Sequence, residues 1–143
     1  TFSEIYLSYL GTPEGVRIPS REFLEDFPPE RKFGYRRDMH KTPKHFIRGY
    51  RLRDKETGEQ GPWLTGMVLE PSVVYEAWCM QQPAEHVIFI LEFPGRPITA
   101  GESFSAAFIV GYFDTIEEMH AVNDRYKGHT ALTADESGWR LVE

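Results

Sequence analysis

Cys79 is the only cysteine among 143 residues, so no disulfide can form within the chain. No apolar run approaches the ~18–20 residues of a membrane span. No basic-then-apolar leader opens the sequence, which begins at Thr1. These absences set the expectation of a cytoplasmic protein without a membrane anchor. Internal repeats, low-complexity tracts and linkers are also missing, and 143 residues suit one domain with one core. Aromatic residues, at 14%, are plentiful, which favours β-structure and surfaces that stack flat rings.

Charge is unevenly placed. Residues 31–53 hold nine of the 16 basic residues and a single acid, Asp38, while the rest carries seven basic and 21 acidic residues. Two readings follow: the basic segment lies against acidic surface of its own chain or of a partner subunit, or part of it receives a carboxylate or phosphate. Aromatic residues interleave with the cations, but a net charge of −6 speaks against a general nucleic-acid binder.

The pattern predicts an all-β, mainly antiparallel domain over 1–143: a sandwich or flattened barrel of about seven strands with one packed helix near the C-terminus. Residues 72–80, 86–93 and 103–113 read as three antiparallel strands. Strands over 45–53 and 63–70, joined by a polar tip at 54–61, precede them, so five consecutive strands form a meander. Residues 1–10 make a first strand with Ile5, Leu7 and Tyr9 on one side, and 16–18 continue the sheet. Ser20 caps a short helix over 21–26. Residues 30–44 lack periodicity and read as a long ordered loop across one end. Asp114 and Glu117 fit a capping box for a helix over 115–127, with Ile116, Met119, Val122 and Tyr126 on its inner face and Gly128 ending it. Residues 138–142 form a last strand.

The candidate chemistry gathers in the basic loop. His40 and His45 lie five apart around Pro43, and imidazole titrates near neutrality. The pair could also bind a transition metal, but no cupin-like set of ligands accompanies it, so no metal is assigned. His86 and Glu92 share a strand face with ~20 Å between them, too far to act on one proton together. Glu76 and Trp78 share one face of their strand and form the acid-beside-indole pair of sugar sites; Tyr75, Ala77 and Cys79 share the other. Cys79 has no activating neighbour in sequence and reads as a small hydrophobe. Gly101-Glu102-Ser103-Phe104-Ser105 lacks the second glycine and following helix of a serine elbow.

The stretch Pro97-Ile98-Thr99-Ala100-Gly101-Glu102-Ser103-Phe104 resembles a turn-and-strand pattern of carbohydrate-active β-sandwich proteins, the aldose-mutarotase-like domains. The resemblance spans residues 63–113 and implies a sugar or polyol ligand; no catalytic residue of that family maps onto this chain. The expected function is an enzyme or enzyme subunit acting on a polar, carbohydrate-like or anionic small molecule by histidine acid/base chemistry. His40, His45 and His86 are the expected acid/base residues. Arg36, Arg37, Arg48, Arg51, Tyr75, Glu76 and Trp78 are the expected binding residues, with Arg48 or Arg51 clamping a carboxylate. The cofactor is unknown. Two other readings stand beside it: a non-catalytic module or homo-oligomeric partner subunit using the basic, aromatic surface as an interface, and a lipocalin-like carrier of a small apolar ligand.

Overall fold

The computed structural model describes residues 1–11, 14–25, 32–78, 87, 89–92 and 98–143. The fold is mainly antiparallel β. A central sheet takes the order β2-β1-β4-β5-β8, from β1 (Phe2–Leu7), β2 (Val16–Pro19), β4 (Phe46–Arg53), β5 (Gln60–Val68) and β8 (Phe108–Phe113). A smaller sheet joins β3 (Tyr35–Arg36), β6 (Glu76–Trp78) and β7 (Ile90–Glu92), and a C-terminal hairpin pairs β9 (Ala131–Asp135) with β10 (Gly138–Val142). Two helices complete it, α1 (Ser20–Glu25) and α2 (Ile116–Tyr126).

Strand alternation explains how the central sheet buries both faces. On one face Ile5, Leu7, Phe46, Tyr50 and Val68 pack with Phe33, Tyr35, Val74 and Ala77 of the smaller sheet and its approaches. On the other, Tyr6, Ile47, Trp63, Met67 and Phe113 pack with Met119 of α2. Tyr9 joins the first cluster with Ile5 and Leu7, as alternation from residue 5 requires. Phe2 is out of step with them, and the β1–β4 register shift between Phe2 and Glu4 turns it into the same core.

The expected five-strand meander is corrected. β4 and β5 form the predicted hairpin, with Asp54 accepting bonds from the backbone of Glu56 and Thr57 at its tip. The next neighbour of β5 is β8, and β6 and β7 leave for the second layer. Pro71 supplies the break: Pro71–Val73 is a 3-10 turn capped by the Glu70 carboxylate, so strand begins at Glu76 rather than residue 72. Of the strand expected over 86–93, Ile90–Glu92 is strand and residues 87 and 89 are not, and the strand expected over 103–113 shortens to Phe108–Phe113. Residues 79–80, 86, 88 and 93 lie outside the described residues, Cys79 and His86 among them.

The long loop holds a two-residue strand and sends Phe33 and Tyr35 into the core. The cap of α2 lies one residue later than predicted: Thr115 Oγ1 accepts from the Glu118 amide at 3.1 Å, and Glu118 accepts from the Asp114 amide at 2.9 Å. Both threonine and aspartate can begin a capping box, so the sequence leaves the frame open by one residue. Met119 faces the sheet with Ile116 and Val122 beside it, and Gly128 takes φ +89° at the C-terminal end. β9, which pairs along all of β10, was not foreseen.

A histidine network beside the basic loop

The end of the basic loop and one side of α2 meet at a pair of imidazoles, His45 buried and His120 partly buried. His45, 7% exposed, immediately precedes β4. Its Nε2 lies 2.7 Å from Oδ1 of Asp124 on α2. His120, one turn before Asp124, presents its ring perpendicular to His45 at 4.6 Å between centroids. The Nε2 of His120 lies 2.6 Å from the hydroxyl of Tyr6 on β1, which donates in turn to the Glu14 carbonyl at 3.0 Å. A hydroxyl has one proton, so His120 donates to the Tyr6 oxygen. Alternation on β1 makes this possible: Ile5 and Leu7 face the first core and Tyr6 faces the helix.

The electrostatics follow from burial and contact. Burial, assisted by Glu117, pushes the Tyr6 hydroxyl up to about 12, so it remains a phenol at neutral pH. Burial first and the neighbouring His45 second hold His120 below the usual imidazole range, which keeps it neutral. The hydrogen bond from His45 holds the Asp124 carboxyl below the usual carboxylate range. In the neutral form of His45 the Asp124 anion fixes the ring proton on Nε2 and leaves the lone pair on Nδ1.

His45 also lines a groove of about 480 Å³ between the turn after β1, residues 8–11, and residues 39–45 of the basic loop. Lys41, Lys44 and His40 share its wall. Among the described residues no carboxylate forms an ion pair with either lysine. Ser8 braces the rim: its hydroxyl donates to the His45 carbonyl at 2.9 Å and accepts from the Ile47 amide at 2.8 Å.

The other predicted residues are scattered. His40 reaches the groove, lies over Tyr35 at 5.6 Å and places Nδ1 3.0 Å from the Arg36 carbonyl. Arg36, Arg37, Tyr75 and Glu76 form a separate, partly exposed cluster. Both guanidinia lie 5.9 Å from the Tyr75 ring, Arg36 reaches Asp38 at 3.1 Å and Glu76 at 3.8 Å, and Arg37 donates to the Ser72 carbonyl. Arg48 is buried on the first core face against Tyr9, and Arg51 lies over Trp63 and donates to the Asp114 carbonyl, so neither lines the groove. Trp78 is described by its backbone, paired with Ile90.

Sequence reading missed Tyr6, His120 and Asp124. One signal was available: His120 and Asp124 stand four apart on a helix, flanking the predicted inner face. Among the described residues no group of three or more histidine, cysteine or acidic side chains could hold a metal ion. No helix among them is long and apolar enough to cross a membrane. Comparison with protein-family models, curated proteins and solved structures finds no match.

Proposed function

We propose that this protein is an enzyme that uses His45 as a general acid/base on a small anionic substrate held in the loop groove. The observation that carries the reading is the 2.7 Å contact between Asp124 and an imidazole that also lines a lysine-bearing groove. A carboxylate behind a histidine fixes its tautomer and stabilises the imidazolium formed when it takes a proton. Nδ1 of His45 would accept the substrate proton and later return it. Lys41 and Lys44 would hold a carboxylate or phosphate as point charges. His120, kept neutral by burial, would add no repulsion to a protonated His45, and Tyr6 would fix its orientation. A carbohydrate-like substrate is the narrower form of the proposal, resting on the mutarotase-like turn pattern at 97–104.

The test is a panel of sugar phosphates and sugar acids assayed for isomerisation, epimerisation and hydrolysis. His45→Ala should abolish turnover, and Asp124→Asn should lower kcat by roughly a hundredfold or more with little change in KM. Turnover unchanged in both variants would end the proposal. A second reading, a binding module that meets a protein partner, draws on a different surface from the basic one. Leu132, Trp139 and Tyr112 are large apolar side chains left exposed on β8 to β10.

A further inference from the structure

The central sheet has two edges of opposite character. At one, β2 is four residues long and carries Arg17 and Pro19, the charge and the proline that keep an edge from pairing. At the other, β8 runs six residues, Phe-Ile-Val-Gly-Tyr-Phe, with neither. Its pairing with β5 fixes which groups point outward. The Leu69 amide donates to the Ala107 carbonyl, and Phe108 lies opposite Val68. Residues 109, 111 and 113 therefore exchange hydrogen bonds with β5, whereas Phe108, Val110 and Tyr112 turn their N–H and C=O groups away from it. Among the described residues no hydrogen bond reaches these outward groups. The same three residues show their side chains to solvent, at 60%, 53% and 67% exposure. Leu132 and Trp139, also exposed, line one groove with Phe108 and widen the apolar patch.

An open, uncharged edge is a template for another strand. The outward parity of β8 makes it complementary to itself. Antiparallel pairing about a two-fold axis at Val110 sets Val110 opposite Val110 of the second copy and Phe108 opposite Tyr112. Each such pair exchanges two hydrogen bonds, so this register uses every outward group of Phe108, Val110 and Tyr112. Their side chains then stand as apolar cross-strand pairs on one face of the sheet. No like charges meet, because Asp114, the charge nearest the strand, falls opposite Ala106. We propose that the protein forms a symmetric dimer by pairing β8 with β8 of a second copy, joining two five-stranded sheets into one. This names the occupant of the apolar surface on which the binding-module reading draws, and it is independent of the proposed reaction. A strand-to-strand contact is smaller than the roughly 800 Å² per partner of a standard interface, so the dimer is reversible and micromolar.

Sedimentation equilibrium of the chain from micromolar to millimolar concentration tests this, with amide hydrogen exchange at both ends of the range. The mass should rise from 16.6 kDa toward twice that value. The amides of Phe108, Val110 and Tyr112 should exchange quickly in the monomer and roughly tenfold or more slowly in the dimer. Those of Ile109 and Gly111, bonded to β5, should exchange slowly in both. Val110→Lys, a substitution at an exposed position, should set like charges opposite each other at the axis. It should weaken the dimer roughly tenfold or more and leave the far-UV circular dichroism unchanged. A mass that stays at 16.6 kDa up to millimolar concentration would overturn the proposal while leaving the surface open to a different protein. The proposal is also overturned by a dimer that Val110→Lys does not weaken, or by one that leaves the three outward amides unprotected.

Discussion

Replacing Tyr6 with phenylalanine removes a single oxygen and keeps the ring that packs edge-on against Trp63 at 6.5 Å. That oxygen receives the His120 N–H and donates to the Glu14 carbonyl. Its loss leaves two partners unpaired in a partly buried site, which should cost about 1–3 kcal/mol at neutral pH. The second consequence depends on pH. The folded Tyr6 hydroxyl ionises at about 12 against an ordinary 10.0. Its contribution to stability is therefore complete below pH 10 and is lost as pH rises toward the folded value. At about pH 11 the loss should be about 1.4 kcal/mol in the parent protein and absent in Tyr6→Phe. Urea denaturation of both proteins at pH 7, 9 and 11, followed by far-UV circular dichroism, measures the difference. Parallel stability curves from pH 9 to 11 would mean instead that Tyr6 is not desolvated in the folded protein.

Thr115→Ala should cost about 1 kcal/mol by removing the N-cap of α2, whereas Asp114→Ala should cost clearly less; chemical denaturation of the two variants fixes the frame of the capping box. Gly66→Ala should cost about 1–3 kcal/mol because the added Cβ meets the Phe89 ring, and its cost should fall when Phe89 is also truncated, as a double-mutant cycle will read. His120 titrates below the usual 6.5 when folded, so the unfolded chain takes the proton first and stability falls as pH drops below about 6.5. In His120→Gln this acid limb should flatten, which thermal melts between pH 7 and pH 5 will show.

The fold was legible wherever local pattern and tertiary packing agree. The β4–β5 hairpin has a polar tip between two apolar strands, and α2 has an amphipathic face with acidic residues first and a glycine last. Pairing beyond neighbouring strands was not legible, because the apolar runs around 63–70, 72–80 and 103–113 look alike and periodicity does not choose between them. Pro71 ends the strand before it, but the 3-10 turn that then carries the chain into a second layer depends on the cores that form around it. The site was half visible. His40 and His45 stand close together in sequence, and the structure brings both to one groove. Their neighbours Tyr6 and Asp124 are 39 and 79 residues from His45, and only the packing of α2 on the sheet unites them. Arg48 and Arg51 looked like companions of the histidines because they follow them closely, but strand alternation turns them to opposite faces of β4. In β4 the two-residue period outweighs nearness in sequence.

The tautomer of His45, read by long-range 1H–15N NMR at mildly alkaline pH, shows whether Asp124 sets this imidazole up to take a proton from a ligand in the groove. The expected spectrum has Nε2 protonated and Nδ1 bare, with this preference lost in Asp124→Asn and the Nδ1 resonance moving when a sugar phosphate is added. A proton on Nδ1 in the parent protein, or a His45 spectrum indifferent to both the Asp124 substitution and the anion, would contradict it.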